Sequence, residues 1–260
     1  MILSPELECM NRKDLRVLQF ARLKNLIEKI YANVPFYKEK FDALGLKPSD
    51  IRCLEDIKKL PFTTKDDLRQ TYPYGLLAVP QSEIVEIHMS SGTTGLPVVN
   101  AYTQADMDQW TEGMGRTLSG AGATRNDTVQ NAYGYGLFTG GMGVHYGTQR
   151  IGATVIPISS GNTEKQLMLM RDFHSTLFTC TPSYALYMAE KAESMGINVH
   201  DLPVRAGCFG AEPWSENMRK EIEKAWNIKA YDIYGLTEIT GPGVAFECEA
   251  QDGMHFNEDL

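Results

Sequence analysis

The stretch Ser90-Ser91-Gly92-Thr93-Thr94-Gly95-Leu96-Pro97 lies between two β-prone runs, Glu83–His88 and Val98–Tyr102, and the rest of the chain is read outward from it. Two short runs flanking a glycine-bearing loop predict a hairpin. Glycine lets the backbone approach an anion closely and adopt positive φ, while exposed N–H groups and Ser and Thr hydroxyls donate to its oxygens. The loop is therefore either a phosphate cradle or a small polar turn, and its surroundings must decide. It is not a Walker A motif, because Leu96 rather than lysine follows Gly95.

Downstream, β-prone runs alternate with helical stretches, the pattern of βαβ units around a parallel sheet. Strands are predicted at 128–132, 154–158, 176–181, 205–210 and 229–233, with helices at 104–119, 140–150, 163–173, 182–195 and 215–226. The expected fold class is α/β, and the hairpin would make the sheet mixed but mostly parallel. Upstream, apolar residues from Leu15 to Ile30 recur at helical spacing, predicting one amphipathic helix over 5–31. A capped helix start follows at Thr63-Thr64-Lys65-Asp66-Asp67-Leu68.

Composition narrows the function classes. With 260 residues, 43% hydrophobic, and a net charge of −8, the chain can bury a substantial core. It lacks the basic footprint of a nucleic-acid or anionic-membrane partner, so a small molecule is the expected ligand. No apolar run approaches the ~18 residues of a spanning helix, and the N-terminus has no signal-peptide layout; a cytoplasmic protein is expected. Cys9, Cys53, Cys180, Cys208 and Cys248 form no CxxC pair and imply no disulfide framework. Cys248 and His255 are half the ligand set of a structural zinc site, and zinc there is carried as the lesser alternative.

In open α/β sheets, ligands bind beyond the carboxyl ends of the strands. Four chemically loaded segments follow predicted strands: Asn131–Phe138, Thr181-Pro182-Ser183, Gly210-Ala211-Glu212-Pro213 and Tyr234-Gly235-Leu236-Thr237-Glu238. They could converge on one cleft. No GxGxxG follows a strand, which argues against a Rossmann dinucleotide site. In the last segment a tyrosine face can stack on adenine, a threonine hydroxyl can donate to a phosphate, and a carboxylate can take part of a magnesium shell. A helix N-terminus capped by Thr237 is the competing reading.

The chain resembles the adenylate-forming acyl-CoA synthetase superfamily and, within it, is most similar to phenylacetate–CoA ligases. The residues that carry the likeness are Asn33–Tyr37, Leu60–Lys65, Tyr72–Gly75, Ser90–Pro97, Asn131–Gly141, Phe209–Trp214, Tyr231–Cys248 and Asp252–His255, in that order. The resemblance implies ATP-dependent activation of an aromatic carboxylic acid, phenylacetate, to an acyl-adenylate with release of pyrophosphate, then transfer to coenzyme A with release of AMP. It implies that Ser90, Ser91, Gly92, Thr93, Thr94 and Gly95 hold the β- and γ-phosphates. Gly210, Ala211, Glu212 and Pro213 would line one face of adenine, with Tyr234 and Gly235 on the other and Asp232 near the exocyclic amine. Thr237 would bind the α-phosphate and Glu238 the Mg²⁺. Tyr133, Tyr135, Gly136 and Phe138, with Ile239 and Pro242, would bound the aryl pocket.

The implied fold is the N-terminal large domain of the adenylate-forming enzymes, with residues 1–80 a helical segment packed on the core and 81–260 an incomplete α/β nucleotide- and acyl-binding core. The family's ribose-binding acid, hinge, and small mobile domain with its lysine would lie beyond Leu260, so a truncated form is expected. Leu96 and Val98 stand where many relatives carry a loop lysine. Relatives suggest a homodimer. Two other readings stay open: a non-catalytic nucleotide- or acyl-binding module, and a ligase for another aryl acid.

Overall fold

The computed structural model describes residues 1–90 and 96–260; residues 91–95, the centre of the glycine-bearing loop, lie outside the described residues. The chain forms two compact units, one comprising Ser4–Met107 with Glu258–Leu260 and the other Met1–Leu3 with Asp108–Asn257.

The first unit is built on helices. Asn11 caps α2 (Arg12–Asn33) by accepting from Asp14 N at 3.1 Å, so the single helix expected over 5–31 is two: a short α1 (Pro5–Glu8) and α2. Pro35, with its fixed φ and missing N–H, suits the first turn of α3 (Pro35–Ala43). Ile27, Phe41, Leu46 and Ile51 make a small core between these helices and the following turn. Thr64 and Asp67 close a reciprocal capping box at the start of α4 (Lys65–Gln70), as the sequence predicts. The strands β1 (Ile84–Met89) and β2 (Val99–Thr103) pair antiparallel as the predicted hairpin. Ser90 fastens its loop end, its N–H donating to Val98 O and its Oγ accepting from Val98 N, both at 2.9 Å.

The hairpin is a separate two-stranded sheet, not part of the main one. The seven-stranded sheet of the second unit has the order β4-β3-β5-β6-β7-β8-β9. Its strands are β3 (Thr128–Asn131), β4 (Thr154–Ile156), β5 (Leu177–Cys180), β6 (Ala206–Phe209), β7 (Lys229–Leu236), β8 (Gly241–Phe246) and β9 (His255–Phe256). Pairings from β4 to β7 are parallel, and β7–β8 and β8–β9 are antiparallel. The sheet is mixed for a reason the sequence reading did not supply. Its antiparallel character comes from β8 and β9 rather than from the hairpin. The helices α6 (Thr139–Arg150), α7 (Thr163–Asp172), α8 (Pro182–Ser194) and α9 (Glu216–Trp226) link the strands; α5 (Gln104–Gly120) precedes β3.

β3, β5 and β6 read as near-continuous buried runs, as expected of parallel strands covered on both faces. Phe178 of β5 meets Phe209 edge-on at 5.2 Å and Trp226 of α9 at 4.7 Å between ring centroids, with Leu167, Met170, Met188 and Ile222 buried in the same cluster. A charged pair crosses this apolar layer. Arg219 of α9 makes a forked contact to Glu247, Nη1 to Oε2 at 2.7 Å and Nη2 to Oε1 at 2.8 Å, and Nη1 also donates to Ala230 O. Glu247 Oε2 in turn accepts from Asp232 N at 2.7 Å, so one ion pair fastens α9, β7 and the end of β8.

Leaving one partner of such a pair buried alone is costly. Arg219→Ala is expected to lower unfolding free energy by about 3–5 kcal/mol. In urea denaturation, the Arg219→Ala, Glu247→Ala double variant should lose much less than the sum of the single variants; an additive loss would show that the two side chains do not act as a pair.

Candidate active site

Four predicted segments occupy the carboxyl ends of adjacent parallel strands in the second unit: 131–138 after β3, 181–183 after β5, 210–213 after β6, and the end of β7. Strand order alone places them side by side.

Asn131 organises the first segment. It is fully buried at the last position of β3, and its side chain satisfies four groups at once. Nδ2 donates to Tyr135 Oη at 2.8 Å and to Gly141 O at 2.7 Å, while Oδ1 accepts from Tyr133 N at 3.2 Å and Thr179 Oγ1 at 3.0 Å. The turn carrying both tyrosines is thereby bound to the sheet and to the start of α6. Tyr135 also meets His145, Oη to Nδ1 at 3.2 Å, with burial pushing its hydroxyl up to about 12 and holding His145 below its usual range. Tyr133 is 5% exposed; its hydroxyl lies beside the Gly210 backbone and completes no hydrogen bond among the described residues. Burial pushes its pKa well above the usual phenol value, so it is a neutral O–H. Gly136 and Phe138 are exposed on the same turn, Gly136 at φ 121°.

The 210–213 loop is shaped by the strand beside it. A side chain at Gly210 would run into Ile233 O, and Ala211 sits at φ 68°, a left-handed conformation uncommon for alanine. Glu212 reaches across to α8, Oε1 accepting from Ser183 N at 2.7 Å. That N–H is one of the orphan donors of the first helical turn, where a carboxylate also meets the positive end of the dipole. The loops after β5 and β6 are thus tied by one carboxylate. Pro213 completes the turn before Trp214, whose ring lies edge-on to Phe209 and under the Arg219 guanidinium, 4.8 Å from its centroid.

The segment 234–238 departs from the helix-cap reading of the sequence. β7 runs through Tyr234, Gly235 and Leu236, and Thr237 and Glu238 form the turn into β8, so Thr237 caps no helix. Gly235 is required where β7 and β8 nearly touch, since a Cβ there would strike Gly241 O. Tyr234 is 47% exposed, Thr237 buried, Glu238 half-buried and Ile239 exposed. Pro242 O accepts from Trp110 Nε1 at 2.9 Å. Asp232, opposite Phe209 on β6, is held above the usual carboxylate range, chiefly by burial and secondarily by Glu247; Trp214, Arg219 and the Ile233 N–H oppose the shift.

Two expectations fall elsewhere. Ser90 belongs to the other unit, and Ser91, Gly92, Thr93, Thr94 and Gly95 lie outside the described residues. The zinc alternative is not supported: among the described residues no group of three or more His, Cys, Asp or Glu side chains could hold a metal. His255 is instead exposed on β9, its ring 5.9 Å from that of Phe246. No helix among the described residues is long and apolar enough to cross a membrane.

Residues 27–257 match the family described as AMP-binding enzyme. The chain belongs to that family. It is 52% identical over 246 residues to a phenylacetate-coenzyme A ligase of Pseudomonas putida, covering 94% of this chain and 56% of the relative. A phenylacetate-coenzyme A ligase of Thermus thermophilus is 47% identical over 260 residues, 100% of this chain and 58% of the relative. The chain thus spans little more than half the length of these curated relatives. Among solved structures, an open conformation of 2-hydroxyisobutyryl-CoA ligase in complex with 2-HIB-AMP and CoA superposes with a TM-score of 0.92 at 27% identity, covering 98% of this chain and 62% of that one. The adenylate-forming large-domain fold expected from the sequence is the fold observed.

The raised Asp232 predicts a pH effect. Below the ordinary carboxylate value, about 3.9, the group is protonated both folded and unfolded and contributes nothing to the difference. As pH rises through its higher folded value, ionising the buried carboxylate costs stability, so the folded state is favoured at the acid end. Asp232→Asn removes that cost, and its stability relative to the native chain in urea denaturation should grow between pH 4 and pH 7. A constant difference would mean Asp232 ionises freely.

Proposed function

We propose that this protein activates an aromatic carboxylic acid, phenylacetate or a close relative, with ATP to form an acyl-adenylate and pyrophosphate, and passes the acyl group to coenzyme A with release of AMP. The observation that carries the reading is the alignment of 131–138, 181–183, 210–213 and 232–238 along the carboxyl edge of β3, β5, β6 and β7. The likeness to phenylacetate-coenzyme A ligases supports the choice of acid.

In this reading adenine lies between the 210–213 backbone and the exposed face of Tyr234, with Gly235 leaving room beside it and Asp232 as acceptor for the exocyclic amine. Thr237 donates to the α-phosphate. Tyr133, Tyr135, Gly136 and Phe138, with Ile239 and Pro242, surround the aromatic ring, where an aromatic wall adds about 0.5–1.5 kcal/mol per ring pair beyond area burial. The protein does little covalent chemistry. Its task is to align the carboxylate with the α-phosphorus and neutralise charge around an in-line displacement.

Magnesium fits the donor chemistry of the turn, because it takes one or two carboxylates and completes its shell with phosphate and water. Glu238, half-buried in the turn beside Thr237, would hold it, and the ion would supply charge neutralisation at the phosphates.

Glu238→Ala should abolish the magnesium-dependent part of ATP binding while leaving the unliganded chain folded, as circular dichroism would show. With saturating ligand, ATP plus magnesium plus phenylacetate should stabilise the native chain by about 2.7 kcal/mol at 100 times the dissociation constant. Stabilisation with pyrophosphate release supports the reading, stabilisation without it favours a binding module, and no stabilisation by any aryl acid overturns it.

A further inference from the structure

Gln130 on β3, Gln166 on α7 and Ser175 before β5 are fully buried, yet none lines the candidate site. Burying carboxamides is costly unless their hydrogen bonds are met. Here they are met by one another. Gln130 Nε2 donates to Gln166 O at 3.0 Å and to Gln166 Oε1 at 2.7 Å, and Ser175 Oγ donates to Gln130 Oε1 at 3.1 Å. Gln166 Nε2 then sends both its hydrogens to one turn, to Ser159 O at 2.7 Å and Gly161 O at 3.3 Å.

That turn is conformationally expensive. Ser159, Gly161 and Asn162 stand at φ 69°, 81° and 47°, and two of the three are not glycine. Non-glycine residues in the left-handed region persist only where their surroundings fix them. From this turn Ser159 reaches the tyrosine segment twice. Its N–H donates to Asn131 O at 3.2 Å, and its Oγ accepts from Tyr135 N at 3.3 Å. The nucleotide-side segments are held by other means, Glu212 on α8 and the Arg219–Glu247 pair on α9.

We infer that Gln166, braced by Gln130, is a positioning residue for the acid pocket: it fixes the strained 159–162 turn so that Ser159 can hold the backbone of Asn131 and Tyr135 in place. The inference rests on the proposed assignment of Tyr133 and Tyr135 to the acid. It separates the two halves of the site physically, with the acid side set by α7 and the nucleotide side by α8 and α9.

Gln166→Glu is the discriminating variant. It is nearly isosteric and still accepts from Gln130, but its carboxylate cannot donate to Ser159 O or Gly161 O. In the full chain, isothermal titration at pH 8 should show phenylacetate affinity weakened about tenfold, the scale of one lost buried hydrogen bond, with ATP affinity unchanged. Lowering the pH toward 5 should remove much of the difference from the native chain at the same pH, because a protonated glutamate regains one donor. If Gln166→Glu does not fold, Ser159→Ala removes only the acceptor for Tyr135 N and should give the same selective loss. Equal loss of both ligands with a lowered melting temperature would mean a purely structural role, and undiminished acid affinity in the folded variants would equally overturn the inference. A native chain that binds ATP but no aromatic acid would sink the acid assignment itself, and this inference with it.

Discussion

The candidate site hangs on one buried side chain. Asn131 stands where β3 ends, and each of its polar atoms is used: two donations outward, to Tyr135 and the start of α6, and two acceptances, from the Tyr133 backbone and from Thr179 on the neighbouring strand. A strand end in a parallel sheet leaves backbone groups without ladder partners, and a side chain that meets several of them turns a loose exit into a fixed turn. Aspartate could not donate to Tyr135 or Gly141, and leucine would make none of the four bonds.

The opposite side of the site is fixed by charge. Arg219 and Glu247 carry opposite charges through the apolar layer under β7, and Glu247 also receives the Asp232 N–H. A buried ion pair is not in itself a gain over a well-packed apolar pair, but it is directional. Its fork sets where β8 returns against β7, and so where Tyr234 stands relative to the 210–213 loop. The same neighbourhood leaves Asp232 short of full satisfaction, held above its usual range chiefly by burial despite Trp214 and Arg219 beside it. Unspent polar capacity beside an open strand end is what a ligand bearing both donors and acceptors can use.

Much of this was legible in the sequence, and the exceptions have physical causes. The parallel strands and their helices announced themselves because fully buried apolar runs alternate with helical periods; the ends differ from expectation by a residue or two, except that β7 runs on to Leu236 rather than ending at 233. β8 was not legible because it opens Gly241-Pro242-Gly243, which reads as a turn. Pro242 is tolerated because it sits opposite Gly235 at an irregularity in the ladder, where a missing N–H costs little. The 5–31 helix was over-extended because the period set by Leu15 to Ile30 was carried back past Asn11 to Pro5, and only the Asn11 cap reveals the restart. The family motifs picked out residues at the carboxyl ends of the strands. They gave no hint of Gln130, Gln166 or Ser159, whose polar atoms are visible as functional only once the strand, helix and turn that carry them are brought together.

The central claim is that the carboxyl edge of β3, β5, β6 and β7 forms one cradle with an acid side and a nucleotide side. A crystal structure of the full chain with a hydrolysis-resistant phenylacetyl-adenylate analogue tests it most directly. The account predicts adenine between the Ala211 backbone and the Tyr234 ring, with the phenyl group against Tyr133 and Phe138. An analogue bound away from that strand edge, such as in the groove between α8 and α9 lined by Glu190, Ile197 and Lys224, would contradict it.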